Sequence, residues 1–273
     1  MTRLRSVWVP GLPHLFHPER SNAWKKLNES MTALGEEIQA WNPDLIVLYS
    51  SQWISVLGTS YQAQPRPKGV HVDENWHEWG DLAFDFPVDG KLSEAIMKET
   101  EAAGYPARTV NYEGFPIDTG TIVALQFLDP KGKVPVSLVS SWVYANSHSA
   151  NALGAAARRA VDKSNQKTLV VACSLLTTRY FTEEINPGED RVSSEIDDQW
   201  NQRILGYFET GALAEIAKLA ESFTKETVTD MQFNAFHWLN GFWGETPVQG
   251  RVAAYGPLWG TGAAVAELIP KGD

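Results

Sequence analysis

The sequence predicts an α/β fold, a central largely parallel or mixed sheet flanked by helices, and three observations predict it. Short β-branched and aromatic runs alternate with longer segments of helical period, the order expected when crossover helices join neighbouring strands. The strand runs are continuously apolar, without the polar alternate positions of a sheet that faces water, so cover is expected on both faces. No low-complexity linker and no repeat of fixed period interrupts the 273 residues, so residues 1–273 are expected to form one domain.

Taken in order, "SVWV" is the first strand and residues 22–41 the first helix. "DLIVLYS" is followed by the helical "KLSEAIMKETEAAG", and "ARTVNY" by "GTIVALQFL", with Asp118 placed to cap that helix. "VPVSLVSSW" leads into "SANALGAAARRAVDKS", and "TLVVACSLL" into helical material over about 193–224. The segment 60–90, rich in proline, acidic and aromatic residues, is too long for an ordinary connection and reads as a functional lid or interface element. Near the end, "DMQFNAFHWLNGFWG" reads as one helix, before the strands "GRVAAYG" and "AAVAELIP".

Composition excludes several classes. The 33 acidic against 23 basic residues leave a net charge of -10, which repels phosphate backbones and anionic lipid, so neither nucleic acid nor membrane is an expected partner. The apolar stretch near the start is cut short by Pro10 and Gly11, and no run approaches the roughly 20 apolar residues that span a bilayer. A single cysteine, Cys173 in "TLVVAC", rules out a disulfide framework and fits a reducing, cytoplasmic setting.

The residues that carry chemistry are scattered. His14 and His17 share a loop after the first strand, without a carboxylate that completes a triad; Gly11 in that loop reads by itself as a turn glycine. His71 and His77 flank "VDENW", where Asp73 and Glu74 offer oxygen ligands or simply a solvated acidic loop. "GTGAAV" at 260–265 has dinucleotide-loop spacing, but too little chain follows for a βαβ unit, so it reads as a tight turn. Ser174 lacks the glycines of a nucleophile elbow.

Read together, "YEGFPIDTGTIVALQFL", "VPVSLVSSW", "SLLTTRYF" and "AAYGPLWGTGAAV" resemble, in order and spacing and over nearly the whole chain, the class III extradiol ring-cleavage dioxygenases related to the protocatechuate 4,5-dioxygenase β subunit. The resemblance implies that family's fold and a site for Fe(II) held by two imidazoles and one carboxylate, with open positions for substrate and oxygen. Position by position the ligands are missing. Gly11 stands where the family has its first histidine ligand, and His14 matches the non-ligand histidine of that loop. Gln52 of "YSSQW" stands for the second histidine, before the retained Trp53. The family's D-H-G turn is Asp118, Thr119, Gly120, and its L-S-H loop is Leu176, Thr177, Thr178. The glutamate ligand falls near the start of "MQFNAFHW", where Gln232 and Asn234 stand, with Gln232 taken as its counterpart. A threonine cannot replace imidazole as a proton carrier near neutral pH.

The resemblance therefore implies a non-catalytic chain with no metal and no cofactor of its own, in which Gly11, Gln52, Thr119, Thr178 and Gln232 are degenerate counterparts of site residues and His14, Trp53 and Asp118 line a vestigial cleft. It implies a partner as well: a homologous subunit that carries Fe(II) and the small aromatic substrate, in a heterotetramer with two copies of each chain, as in the family members that open the ring of 2-aminophenol with O2. Tryptophans of "ENWHEW" and "FHWLNGFWG" are expected at that interface. Two alternatives stay open: a free-standing metalloenzyme whose site is rebuilt from His14, His17 and loop carboxylates, and a binding module for a small aromatic ligand.

Overall fold

In the computed structural model, which describes residues 3–272, eight strands form one sheet. They are β1 (Leu4–Val9), β2 (Leu45–Ser55), β3 (Thr59–Gln62), β6 (Ala107–Val110), β7 (Val136–Trp142), β8 (Thr168–Cys173), β9 (Val248–Leu258) and β10 (Thr261–Pro270), with β4 (Lys68–His71) and β5 (Leu82–Asp85) as a separate antiparallel pair. The order is β6-β3-β7-β2-β8-β1-β10-β9; the central strands β7, β2, β8 and β1 are parallel, and β10 and β9 close one edge antiparallel. The sheet is thus mixed and mostly parallel, as the sequence predicts.

Successive residues of a strand point to opposite faces, and both faces are covered. In β2, Leu45, Val47 and Tyr49 join an apolar layer with helices α2 (Gly90–Ala102), α4 (Ser147–Ser164), α5 (Glu195–Thr210), α6 (Leu213–Glu226) and α7 (Asn234–Trp243). Ile46 and Leu48 join the other layer, with α1 (Asn22–Trp41) and α3 (Thr119–Leu128). The continuous apolar run of the strand is this double burial. Among the helices, α4 and α7 touch closely: a methyl group on Gly154 would stand 1.8 Å from the Trp238 carbonyl oxygen, so only glycine fits there.

One expectation needs correction, and the others gain detail. The helical material over about 193–224 is two helices, because Gly211 takes φ 69° and ends α5. The segment 60–90, read as a functional lid or interface element, carries β4, β5 and most of β3. The helix expected over "DMQFNAFHWLNGFWG" begins only at Asn234, because Met231, Gln232 and Phe233 have φ of 44°, 57° and 61°, a run of left-handed backbone that costs about 1–3 kcal/mol per residue unless its surroundings impose it. Of the tryptophans in the two segments expected at an interface, Trp79, Trp238 and Trp243 are buried within this chain and Trp76 is half-buried.

The tight turn read over 260–265 is shorter and one residue earlier, since Thr261 to Val265 already lie in β10. Trp259 and Gly260 alone connect β9 to β10, both with positive φ, the backbone that a two-residue hairpin demands.

Candidate functional site

Strand β2 does not end at Ser50. Its pairing with β7 slips between Ser50 and Ile54, which lie opposite the adjacent residues Ser140 and Ser141, so Ser51, Gln52 and Trp53 bulge out of the ladder. Bulges re-aim side chains beside functional sites. Here the bulge turns the Gln52 amide toward the first loop, where its Nε2 donates to the Gly11 carbonyl at 2.9 Å. Trp53 packs edge-on to Phe115.

Gly11 does not have the positive φ of a turn glycine; it is small because the backbone of α3 presses on it. A Cβ there would lie 2.5 Å from Gly120 Cα and 2.6 Å from Cys173 Sγ, and the Cys173 thiol itself donates to the Gly120 carbonyl at 3.3 Å. Burial pushes that thiol's pKa up, so it stays protonated.

Asp118 caps α3, accepting from the Thr121 N–H at 2.9 Å and hydroxyl at 2.7 Å, and from the Ser50 hydroxyl at 2.6 Å. Thr119 donates to Asp73 and accepts from His71 Nε2 at 2.9 Å. Asp73 in turn receives the N–H groups of Asn75 and Trp76. The acidic loop read from sequence as solvated therefore docks on the start of α3.

Asp230 is the carboxylate at the third corner. It accepts from Ser51 at 2.6 Å, from Ser174 at 2.8 Å and from the Leu175 N–H at 3.0 Å. Burial raises its pKa despite these bonds. Gln232 is not there: its left-handed backbone sends it to a different cleft, beside His237. Thr178 is also elsewhere, its N–H donating to Val228 O at 2.7 Å, while Thr177 accepts from the Asn201 amide.

His14 is fully buried, ringed by Trp24, Trp76, Trp79 and Trp259 with centroids 4.5–5.6 Å away, and neither nitrogen has a partner. Burial, helped by neighbouring His17, lowers its pKa to about 3, so it is a neutral packing element. His14 and Trp53 thus belong to different aromatic groups. Of the residues singled out in the sequence, Gln52 bonds to Gly11 and Asp118 lies beside Gly120; Asp230 and the Cys173 contact carry no sequence signal and arise only in the tertiary structure.

These residues do not fit an Fe(II) centre. Gly11 has neither a donor nor room for one, Gln52 offers only a neutral amide whose Nε2 is turned to the Gly11 carbonyl, and Asp230 is held by three hydrogen-bond donors. Among the described residues no three His, Cys, Asp or Glu side chains converge as a metal set.

Residues 9–266 match the family model described as the catalytic LigB subunit of aromatic ring-opening dioxygenase. The chain belongs to this family. Among its relatives is the 2-aminophenol 1,6-dioxygenase alpha subunit of a Pseudomonas species, 37% identical over 98% of this chain and 99% of the relative. The beta subunit of the same name, also from a Pseudomonas species, is 25% identical over 95% of this chain and 91% of its own length. An uncharacterized Escherichia coli K12 protein of known crystal structure shares the LigB-family fold at a TM-score of 0.65, with 14% identity, 97% of this chain and 99% of that one covered. Among the described residues no helix is long and apolar enough to cross a membrane.

Proposed function

We propose that this chain is the iron-free subunit of a hetero-oligomeric 2-aminophenol 1,6-dioxygenase, paired as a heterotetramer with a homologous iron-bearing subunit that opens the ring of 2-aminophenol or a substituted relative with O2. The observation that carries the reading is the contact at Gly11. The position of the family's first ligand is closed by backbone, 2.5 Å from any side chain that would grow there, so no single substitution restores it. A metal site works only as a complete ligand set. The full-length similarity to an alpha subunit, with weaker similarity to its beta partner, supports pairing of related chains in a pseudo-two-fold complex. Exposed Ile54, Val56 and Leu57 follow directly on the β2 bulge and offer apolar surface for such a partner. On this reading residues 1–273 act as one cytoplasmic domain, whose service to catalysis is to support its partner.

Co-expression with an iron-bearing homologue tests this. The expected result is a single joint peak on gel filtration, ring cleavage by that species, and no stoichiometric iron in this chain purified alone. Close to one tightly held iron per isolated chain, or two separately migrating proteins, would overturn it.

A further inference from the structure

A cavity of about 290 Å3 opens between the β4–β5 pair and the turn that leads into α3, with Phe84, Phe115, Ile117 and His71 in its wall. Gly11, Gln52 and Asp118 do not line it, so it is separate from the closed family site. Lys68, also at the wall, is paired with Asp85 at 3.6 Å, which leaves the cavity without an uncompensated charge. Gln64 has its amide oxygen sealed in protein, so His71 supplies the side-chain acceptor of this wall. Apolar walls with a few placed polar groups are the common form of a small-molecule site.

What His71 offers is set by a chain of hydrogen bonds that starts at Asp73. A carboxylate only accepts, so the Thr119 hydroxyl spends its single hydrogen on Asp73. The Thr119 oxygen is then an acceptor, and the His71 Nε2 that meets it at 2.9 Å must carry the hydrogen of the neutral ring. Nδ1 is left as a bare lone pair. Among the described residues it has no partner, and unlike both ring nitrogens of His14 it is not sealed from solvent. The ring is thereby locked in one tautomer, with its accepting nitrogen open.

We infer that this cavity binds a small neutral molecule with an apolar body and one N–H or O–H donor, the donor given to His71 Nδ1 and the body laid against Phe84, Phe115 and Ile117. The locked tautomer makes the site selective: a molecule of the same shape that presents an acceptor meets a lone pair and gains nothing there. Ions are disfavoured as well, because the apolar wall offers them no compensating charge.

Calorimetric titration of the full chain with indole and with benzofuran, which has the same shape but an oxygen in place of the N–H, tests the assignment. Indole is expected to bind saturably at one site, and benzofuran about three- to tenfold more weakly, the scale of one neutral hydrogen bond. In the 15N spectrum of the histidine-labelled chain, His71 should show the Nε2–H form, and its Nδ1 signal should move with indole and stay with benzofuran. His71→Phe, checked for folding by circular dichroism, should bring indole down to the affinity of benzofuran. Indole that fails to saturate, benzofuran binding as tightly, an Nδ1–H form of His71, or unchanged indole affinity in His71→Phe would each overturn the site. None of these measurements involves turnover, iron or a partner subunit, so their outcome is independent of the proposed dioxygenase role.

Discussion

Helices α3 and α4 start alike and end in opposite circumstances. Each has a capping side chain that accepts the N–H of the third helical residue, Asp118 for α3 and Asn146 for α4. At α3 the polar side chains are consumed, Asp118 by Ser50 and Thr121 and Thr119 by Asp73 and His71, and Gly120 lies hard against Gly11. At α4 the capping turn borders an open cleft that Asn146, Ser147 and His237 line. The difference teaches how tertiary packing decides what a helix start is free to do: at α3 the backbone of a neighbouring loop and bonds to two carboxylates close the space, while the start of α4 stays open.

The comparison breaks most visibly at Gly11. Gly11→His should not restore a ligand but destabilise the chain by about 3 kcal/mol or more, the upper range for forcing volume into a packed core. Thermal unfolding should show Tm lower by roughly 6–12 °C; a Tm within about 2 °C of the parent would mean the contact yields easily.

The two caps should differ in cost. Asp118→Ala loses a cap and two hydroxyl partners and should cost about 2 kcal/mol, whereas Asn146→Ala loses one cap at a solvated end and should cost about 1 kcal/mol. Urea midpoints of the two variants measure the gap, and equal midpoints would contradict the consumed-versus-open contrast.

Acid should reveal the two buried histidines. Burial holds His14 and His237 near pKa 3 and 4 against 6.5 in water, so between those values the unfolded chain binds protons that the folded chain refuses. Stability is complete above about pH 6.5 and falls as pH drops toward 4. Asp230 works the other way: its raised pKa means that ionising it costs folded stability as pH rises through its folded value. Asp230→Asn should therefore raise the midpoint at neutral pH, and His237→Leu should flatten the acid slope. A midpoint unchanged between pH 7 and 5 would show that these rings are not held neutral.

The smallest effect is expected where the family keeps its chemistry. On the proposed reading, in the complex with an iron-bearing subunit, the triple variant Gln52→Ala, Thr119→Ala, Thr178→Ala should leave turnover within about twofold, because none of the three would serve a transition state. A loss of about a hundredfold, the scale of a missing acid or base, with assembly intact would place chemistry in this chain after all.

The sheet and most helices were legible because double burial writes itself as continuous apolar runs, and because caps such as Asp118 are local signals. The turn at 231–233 was not: "MQFNAFHW" has helical character, and what reverses it is the anchoring of Asp230 to Ser51 and Ser174, partners more than fifty residues away in sequence. Gly11 was read as a turn glycine, and the structure gives it a different reason, the close approach of Gly120 and Cys173. A glycine looks the same in a sequence whether its backbone turns or another strand of chain leans on it. The docking of Asp73 on Thr119 was likewise invisible, since nothing near Asp73 announces its acceptor role.

The Cys173 thiol, wedged under Gly11 and bonded to Gly120, is also a clock. It is the chain's one cysteine, and its raised pKa keeps the reactive thiolate scarce while the layers are closed. An alkylating reagent can therefore consume it only when β8 and the start of α3 part, so the labelling rate reads the opening free energy of that layer directly, in the manner of amide exchange. Every substitution around Gly11 and Gly120, and on the proposed reading the binding of a partner subunit, registers on one native sulfur without any engineered probe.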